Sequence, residues 1–401
     1  MLNRVFAAFK YREFRLMWLG ACTSTIGTWM QKAAQSWLVL ELSGSKFLLG
    51  LDSFLGDIPI LLLSLLGGVA SDRFDRRKLL IASQVGQMST ALTLALLFAT
   101  GTVQVWHILL LSFFTGCVQA FGGPAYQAIL PMMVPKQEVQ NAIAMNSIQF
   151  NIARVIGPML GGWALVSLGP AGCFSINALS FLAVIFALLA MTPKHGGGNR
   201  GESVIASIRG GIDFVSCRPG MLPLIALAFF MTLLGFPLMV FLPVMAKEVF
   251  GQGSIGYTRM LTVSGAGAIA GGLIVAGLSH SDKKGRHALI NLIALGTLIV
   301  AFSQSRILWL SYITLFLCGG ALIGTFSMIA SLVQAEATDE MRGRVMSLYN
   351  VAFRGGGPIG ALICGQLIEH SSAPTVLAGC GTLLALMGLW FLVIQRRIPQ
   401  L

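Results

Sequence analysis

The amino-acid sequence predicts an all-α membrane protein, twelve transmembrane helices in two six-helix bundles related by a pseudo-twofold axis. Three observations predict this class. Of the 401 residues, 55% are hydrophobic and 10% are charged, where an average soluble protein has roughly 25% charged. Apolar windows long enough to cross a bilayer recur along the whole length rather than forming one anchor. Landmarks of the first half of the chain also return 200 residues later in the second.

The first span, Leu16–Leu40, follows directly on the basic and aromatic start Met1–Arg15. That start lacks the short apolar core and small-residue site of a cleavable signal peptide. Five more apolar segments complete the first half: Phe47–Ala70, Leu79–Thr100, Val105–Leu130, Ala142–Leu168 and Cys173–Met191. The second half offers Leu222–Val244, Leu261–Leu278, His287–Phe302, Ile307–Ile329, Val345–Ile368 and Val376–Ile394, of which the segments at Leu261 and His287 are shortest. Pro59, Pro124, Pro158, Pro237, Pro243 and Pro358 fall inside or near these segments. A membrane helix tolerates such kinks because its neighbours re-satisfy the freed backbone.

Between the halves lies one long polar break, Thr192–Pro219. It contains His195 followed by three consecutive glycines, then places Val204, Ile205, Ile208, Ile212 and Val215 at helical spacing, with Arg209 and Arg218 expected to face headgroups. A flexible stretch followed by an amphipathic helix on the inner membrane surface is expected. The domain reading is therefore 1–192 for the first bundle, 193–220 for a cytoplasmic linker and 221–401 for the second bundle.

Orientation follows from lysine and arginine. With the N-terminus inside, inner loops and termini hold 20 of the 27 basic residues, and the outer loops hold Lys46, Lys247 and Arg306. This asymmetry places both termini in the cytoplasm. The remaining four, Lys32, Arg154, Arg259 and Arg354, lie within helices.

The net charge of +12 is thus topological. No basic, aromatic-interleaved patch points to nucleic acid. The seven cysteines include no CxxC pair and accompany no cluster of histidines, so neither a disulfide framework nor a metal site is expected. No Walker sequence and no nucleophile constellation is present, so neither direct ATP drive nor enzyme chemistry is expected, and no cofactor.

The densest charge is the stretch Gly67-Gly68-Val69-Ala70-Ser71-Asp72-Arg73-Phe74-Asp75-Arg76-Arg77-Lys78. It reads as a glycine pair for close helix approach, an acid at a helix end and four basic residues, the form of a short turn between two spans. Ser281–Arg286 echoes it in the second half. In the fifth segment Arg154-x-x-Gly157-Pro158 is matched 200 residues on by Arg354-x-x-Gly357-Pro358 in the eleventh, and Ser147 by Ser347. Parallel repeats of this kind place a pseudo-twofold axis along the membrane normal with a cavity between the halves.

Gly68-x-x-x-Asp72-Arg73-x-x-Arg76-Arg77 resembles the loop signature of the major facilitator superfamily. Arg154-x-x-Gly157-Pro158-x-x-Gly161-Gly162 resembles its fifth-helix glycine-proline motif, which that superfamily associates with exporters. Leu42-Ser43-Gly44-Ser45, Asp72 to Arg77, Asn141-Ala142-x-Ala144-x-Asn146-Ser147 and Arg342 to Tyr349 resemble the branch of enterobactin exporters and macrolide efflux pumps. The chain departs from the superfamily at Asp75, where a glycine is usual, and lacks the fourth-helix arginine of many proton antiporters. The resemblance implies a monomeric secondary transporter of a bacterial-type inner membrane. It would export an amphipathic small molecule (a siderophore, macrolide or other drug) by alternating access, with protons as counter-ion. A lipid or lysolipid transporter of the same fold, and a membrane receptor or scaffold that does not transport, remain alternatives.

The resemblance also implies that Gly68, Asp72, Arg73, Arg76 and Arg77 form a cytoplasmic gate. From the residues themselves, a charged group inside a span is costly and by default faces a cavity or a partner. Lys32 therefore calls for Asp57 or Asp52 on the next helix; the resemblance, with the superfamily's second helix packed near its eleventh, implies Arg354 as a further partner for Asp57. One of these carboxylates could carry a proton, or the set could be a buried ion pair. Trp29, Lys32 and Gln35 share one region of the first helix. With Gln119, Tyr126, Asn146, Gln149, Arg154, Tyr349 and Asn350 they are the candidate lining of a substrate cavity, although such polar groups also serve as interhelical hydrogen bonds. Gly157, Pro158, Gly161, Gly162, Gly357 and Pro358 are the candidate helix-packing residues.

Overall fold

The computed structural model describes residues 6–191, 212–218, 220–277, 284–338, 340–395 and 398. Among them there is no β-strand, and twelve long helices follow one another. In the first half these are α1 (Arg12–Ser43), α2 (Lys46–Arg73), α3 (Arg76–Ala99), α4 (Val105–Ile129), α5 (Val139–Ser167) and α6 (Gly169–Ala190). In the second half they are α7 (Met221–Gly235), α8 (Ser254–Gly277), α9 (Lys284–Gln304), α10 (Leu308–Glu336), α11 (Arg342–Glu369) and α12 (Ala373–Trp390). Ten of the described helical stretches are long and apolar enough to cross a membrane. The two others, α1 and α5, have the length, at 32 and 29 residues, but carry the polar and basic side chains from which the site below is built.

Several helices run past their expected ends, α10 among them, which continues to Glu336 instead of Ile329. Helix α8 begins at Ser254 instead of Leu261, and α9 runs from Lys284 to Gln304 instead of from His287 to Phe302; polar turns at their ends continue the helical hydrogen bonds. The seventh span is not continuous. It breaks after Gly235 into Pro237–Val240, Leu242–Val244 and a wider turn Met245–Val249, because Pro237 and Pro243 each remove a helical N–H donor. The expected echo at 281–283 and the linker residues 193–211 lie outside the described residues. Of the linker, 212–217 is helical, and Arg218 is held by the protein rather than presented to headgroups. It donates to the Glu336 carbonyl and lies over the Phe214 ring.

The chain separates into two compact units, Met1–Ser43 with Leu55–Gly201, and Gly44–Phe54 with Glu202–Leu401. Within the first unit, α1 packs on α5 and α6, and α3 on α4 and α6. Within the second, α7 packs on α11, α8 on α10, and α9 on α10 and α12. The pairings α1 with α5 and α3 with α6 thus recur as α7 with α11 and α9 with α12. Two helix pairings of the first half are repeated in the second.

Small residues let these helices approach. On α5 a Cβ at Gly157 would collide with the Trp29 Cβ and the Ile26 carbonyl, and one at Gly161 would reach the Met30 carbonyl at 2.9 Å. The second unit uses the same device in a shifted register, which corrects the expectation for Gly357. A Cβ there would meet the Phe236 ring at an ordinary 3.5 Å, whereas Gly356 and Gly360 are the positions pressed against the α7 backbone at Phe229 and Leu233. Gly162, Pro158 and Pro358 are buried within their helices.

Candidate functional site

The turn between α2 and α3 is built by its own side chains. Asp75 caps α3, its Oδ1 accepting from the Arg77 N–H at 2.9 Å and the Lys78 N–H at 3.2 Å. Arg76 reaches back to the end of α2, donating to the Ser71 carbonyl at 3.0 Å and lying 3.5 Å from Asp72. Arg77 donates to the Leu189 carbonyl at the end of α6, 2.9 Å away. Arg73 and Asp72 are exposed. Gly68 does not make the close approach expected of it, since a Cβ there would meet nothing within 4 Å. The neighbouring Gly67 does, lying against the Ala120 carbonyl of α4.

Further along the first unit, Lys32 Nζ lies 3.9 Å from Asp57 Oδ1, with side-chain exposures of 62% and 32%. The pair joins α1 to α2 with its lysine exposed and its aspartate half-buried, so it is not the buried ion pair that the sequence left open. Gln35, one turn from Lys32, donates to Ser112 Oγ of α4 at 2.8 Å. Asp52 is buried at 7% exposure and belongs to the second unit. The nearby Gly50 lies against the α11 backbone at Ala361.

Arg154 stands near the middle of α5, its guanidinium carbon 5.9 Å from the centre of the Trp29 ring. Trp29 also meets the Phe150 ring edge-on at 5.8 Å. Gly157 fixes this arrangement, because its missing side chain seats the Trp29 Cβ directly on α5, one turn from Arg154. Arg154 makes no hydrogen bond or ion pair with any described residue. A cation at the centre of a spanning helix costs about 2.5–3.5 kcal/mol on insertion scales. A cation–π contact returns about 0.5–1 kcal/mol at an exposed site and about 2 kcal/mol or more only when desolvated, and Arg154 is half-exposed. Trp29 alone therefore leaves the charge under-compensated.

Two candidate cavity residues are spent elsewhere. Gln149, 3% exposed, donates to the Ala21 carbonyl at 2.9 Å and to Thr25 Oγ1 at 2.8 Å. It pins α5 to α1 rather than lining a cavity. Tyr349, 1% exposed, donates to the Phe326 carbonyl at 3.3 Å and stacks near Phe353, which likewise withdraws it. Tyr126 donates to Asn146 Oδ1 at 2.7 Å, tying α4 to α5. Gln119, Asn350 and Arg354 are exposed. On α5 the exposed or half-exposed positions Ile143, Ser147, Phe150 and Arg154 share one face, and on α11 Gly343, Ser347, Asn350 and Arg354 repeat it.

Sequence reasoning missed one constellation. Glu369, the last residue of α11, accepts through Oε2 from the Lys46 N–H at 2.6 Å, the Phe47 N–H at 3.1 Å and Ser45 Oγ at 3.2 Å. A carboxylate from the far end of the chain thus caps the first turn of α2. Lys46 Nζ adds an ion pair to Glu248 at 2.8 Å. The signal available in sequence was Ser45 before a helix start, which is the ordinary local cap; nothing local points to residue 369.

Known proteins resemble the chain along nearly its whole length. The enterobactin exporter EntS of Shigella boydii is 24% identical over 400 residues, covering 96% of this chain and 93% of the exporter. The multidrug efflux pump Tap of Mycolicibacterium fortuitum is 25% identical over 394 residues, covering 95% of each chain. In fold, a crystal structure of the peptide transporter POT superposes with a TM-score of 0.78 at 12% identity, over 97% of this chain and 95% of that one. The sequence profile of the transmembrane secretion effector family matches residues 3–401. With two helix pairings of the first half repeated in the second and charged residues set within long helices, the chain belongs to that family of the major facilitator superfamily and is a multi-pass membrane transporter, not an enzyme.

Proposed function

We propose that the chain is an exporter of an amphipathic small molecule, working as a monomer in a bacterial-type inner membrane with both termini in the cytoplasm and with proton entry driving export. The observation that carries this reading is the surface-accessible Lys32–Asp57 pair set within two long helices of a membrane protein. Exposed charge at that position needs water, and water within a membrane protein marks a transport path. The likeness to an enterobactin exporter and a multidrug efflux pump supports the direction.

In this reading, export alternates access to the exposed faces of α5 and α11. Trp29, Gln35, Gln119, Asn146 and Arg154 are the substrate contacts of the first unit, and Asn350 and Arg354 those of the second. Asp57 is the carboxylate that carries the proton as its contact with Lys32 opens and closes. Asp72, Arg73, Arg76 and Arg77 form the inner gate, since an exposed charge cluster contributes little stability and can separate at small cost.

The test uses purified protein in proteoliposomes loaded with a fluorescent amphipathic drug. Efflux should accelerate under an imposed pH gradient, and Asp57→Asn should remove that acceleration while gradient-independent counterflow persists. Efflux indifferent to the gradient in the unaltered protein would sink proton antiport. Movement of lysolipid without efflux of any soluble compound would replace drug export by lipid transport.

A further inference from the structure

Arg154 presents a chemical demand that its surroundings do not meet. Its guanidinium has five N–H donors in a planar fork suited to an oxyanion, and among the described residues its sole electrostatic partner is the face of Trp29. Lys32, one turn from Trp29 on the same helix, shows that the first unit can supply a carboxylate to an intrahelical cation, because Asp57 faces it. No acid does this for Arg154. Phe150, exposed and edge-on to Trp29, extends the aromatic surface along α5. Ser147 continues the same exposed face.

We propose that Arg154, Trp29 and Phe150 form the recognition site for an organic anion, a carboxylate or other oxyanion carried on an aromatic or apolar body. The guanidinium takes the oxyanion through paired N–H bonds, and the two rings take the body. The inference rests on the export reading and narrows its substrate class: amine-bearing cations and neutral amphiphiles of the same shape are disfavoured by an uncompensated guanidinium. The same chemistry belongs to a soluble organic acid and to an anionic lysolipid headgroup.

Three probes with one aromatic body separate charge from shape: 2-naphthoate, its methyl ester and 2-naphthylmethylammonium. Binding to the purified full-length protein in a neutral detergent is read by thermal stabilisation and by quenching of tryptophan fluorescence. Naphthoate should bind about tenfold or more tighter than either analogue, and Arg154→Gln should abolish that preference. Arg154→Lys, which keeps the charge without the fork, should retain part of it. Trp29→Leu should weaken all three probes alike. The unliganded Arg154→Gln protein should melt no lower than the unaltered one, because the substitution removes a charge that lacks a partner.

Equal binding of the ammonium or the ester, or unchanged naphthoate affinity in a folded Arg154→Gln protein, would overturn the proposal. Competition by lysophosphatidylglycerol but not lysophosphatidylcholine assigns the anion to a lipid source, and competition by neither assigns it to soluble acids; the anion site stands in both cases. Efflux of a cationic drug without anion binding would sink this inference and leave export standing. Anion binding without any efflux would do the reverse.

Discussion

At the scale of single residues, Asp75 shows how a departure from a family pattern can be read physically. Where the superfamily commonly has glycine, this chain has a side chain that accepts from two of the first free N–H groups of α3. Glycine is itself an acceptable cap, only a few tenths of a kcal/mol poorer than aspartate, so the exchange leaves the turn intact. Asp75→Ala has neither advantage and should weaken the start of α3 by about 1 kcal/mol. Amide exchange at Arg77 and Lys78 should rise several-fold in that variant and stay near the original rate in Asp75→Asn. The adjacent Asp72–Arg76 contact is of a different kind. At 3.5 Å with Asp72 61% exposed, it is a solvent-screened pair of the sort that contributes little.

At the scale of helices, the glycine motifs decide which faces meet. The repeat Arg-x-x-Gly-Pro was legible at both positions, yet the two copies do not pack alike. On α5 the tight contact falls on Gly157, whereas on α11 it falls one residue earlier, on Gly356, and again at Gly360. The run Gly355-Gly356-Gly357 offers three candidates for one contact, and sequence alone has no means to choose among them. Gly157→Val and Gly356→Val should each lower the melting temperature clearly, since overpacking commonly costs about 1–3 kcal/mol and here the obstacle includes backbone. Gly357→Ala should be nearly neutral. Equal losses at Gly356 and Gly357 would show that the register has been misassigned.

The capping of α2 by Glu369 belongs to the same scale and was not legible. Helix-start signals are local, whereas this carboxylate comes from the end of α11, and its three donors from Ser45 to Phe47, in the same compact unit but more than 300 residues away in sequence, become its neighbours only in the folded chain. A carboxylate at a helix N-terminus is favoured by the free N–H groups and by the helix dipole together. Glu369→Gln keeps the size of the side chain but loses the charge, so exchange at the Lys46 and Phe47 amides should increase while the rest of α2 keeps its protection.

At the scale of the whole molecule, fold class and helix order could be read from sequence because both rest on long-range averages. Hydropathy located all twelve helices, including α1 and α5, whose polar residues dilute the signal that marks the other ten. The polar residues themselves were harder to read. Gln149 and Tyr349 were as plausible for a cavity as Asn350, and only their burial and their bonds to Ala21, Thr25 and Phe326 separate helix glue from open surface. Orientation is a further whole-chain property, set by where basic residues accumulate. It predicts that a green fluorescent reporter fused at the C-terminus fluoresces, and that alkaline phosphatase inserted at Thr102 or Arg306 is active whereas at Phe74 it is not. Neutralising Arg73, Arg76, Arg77 and Lys78 together should leave this pattern unchanged, because sixteen basic residues remain on the same side in the other inner segments. Reversal of the reporters in that variant would mean that the α2–α3 turn alone orients the chain.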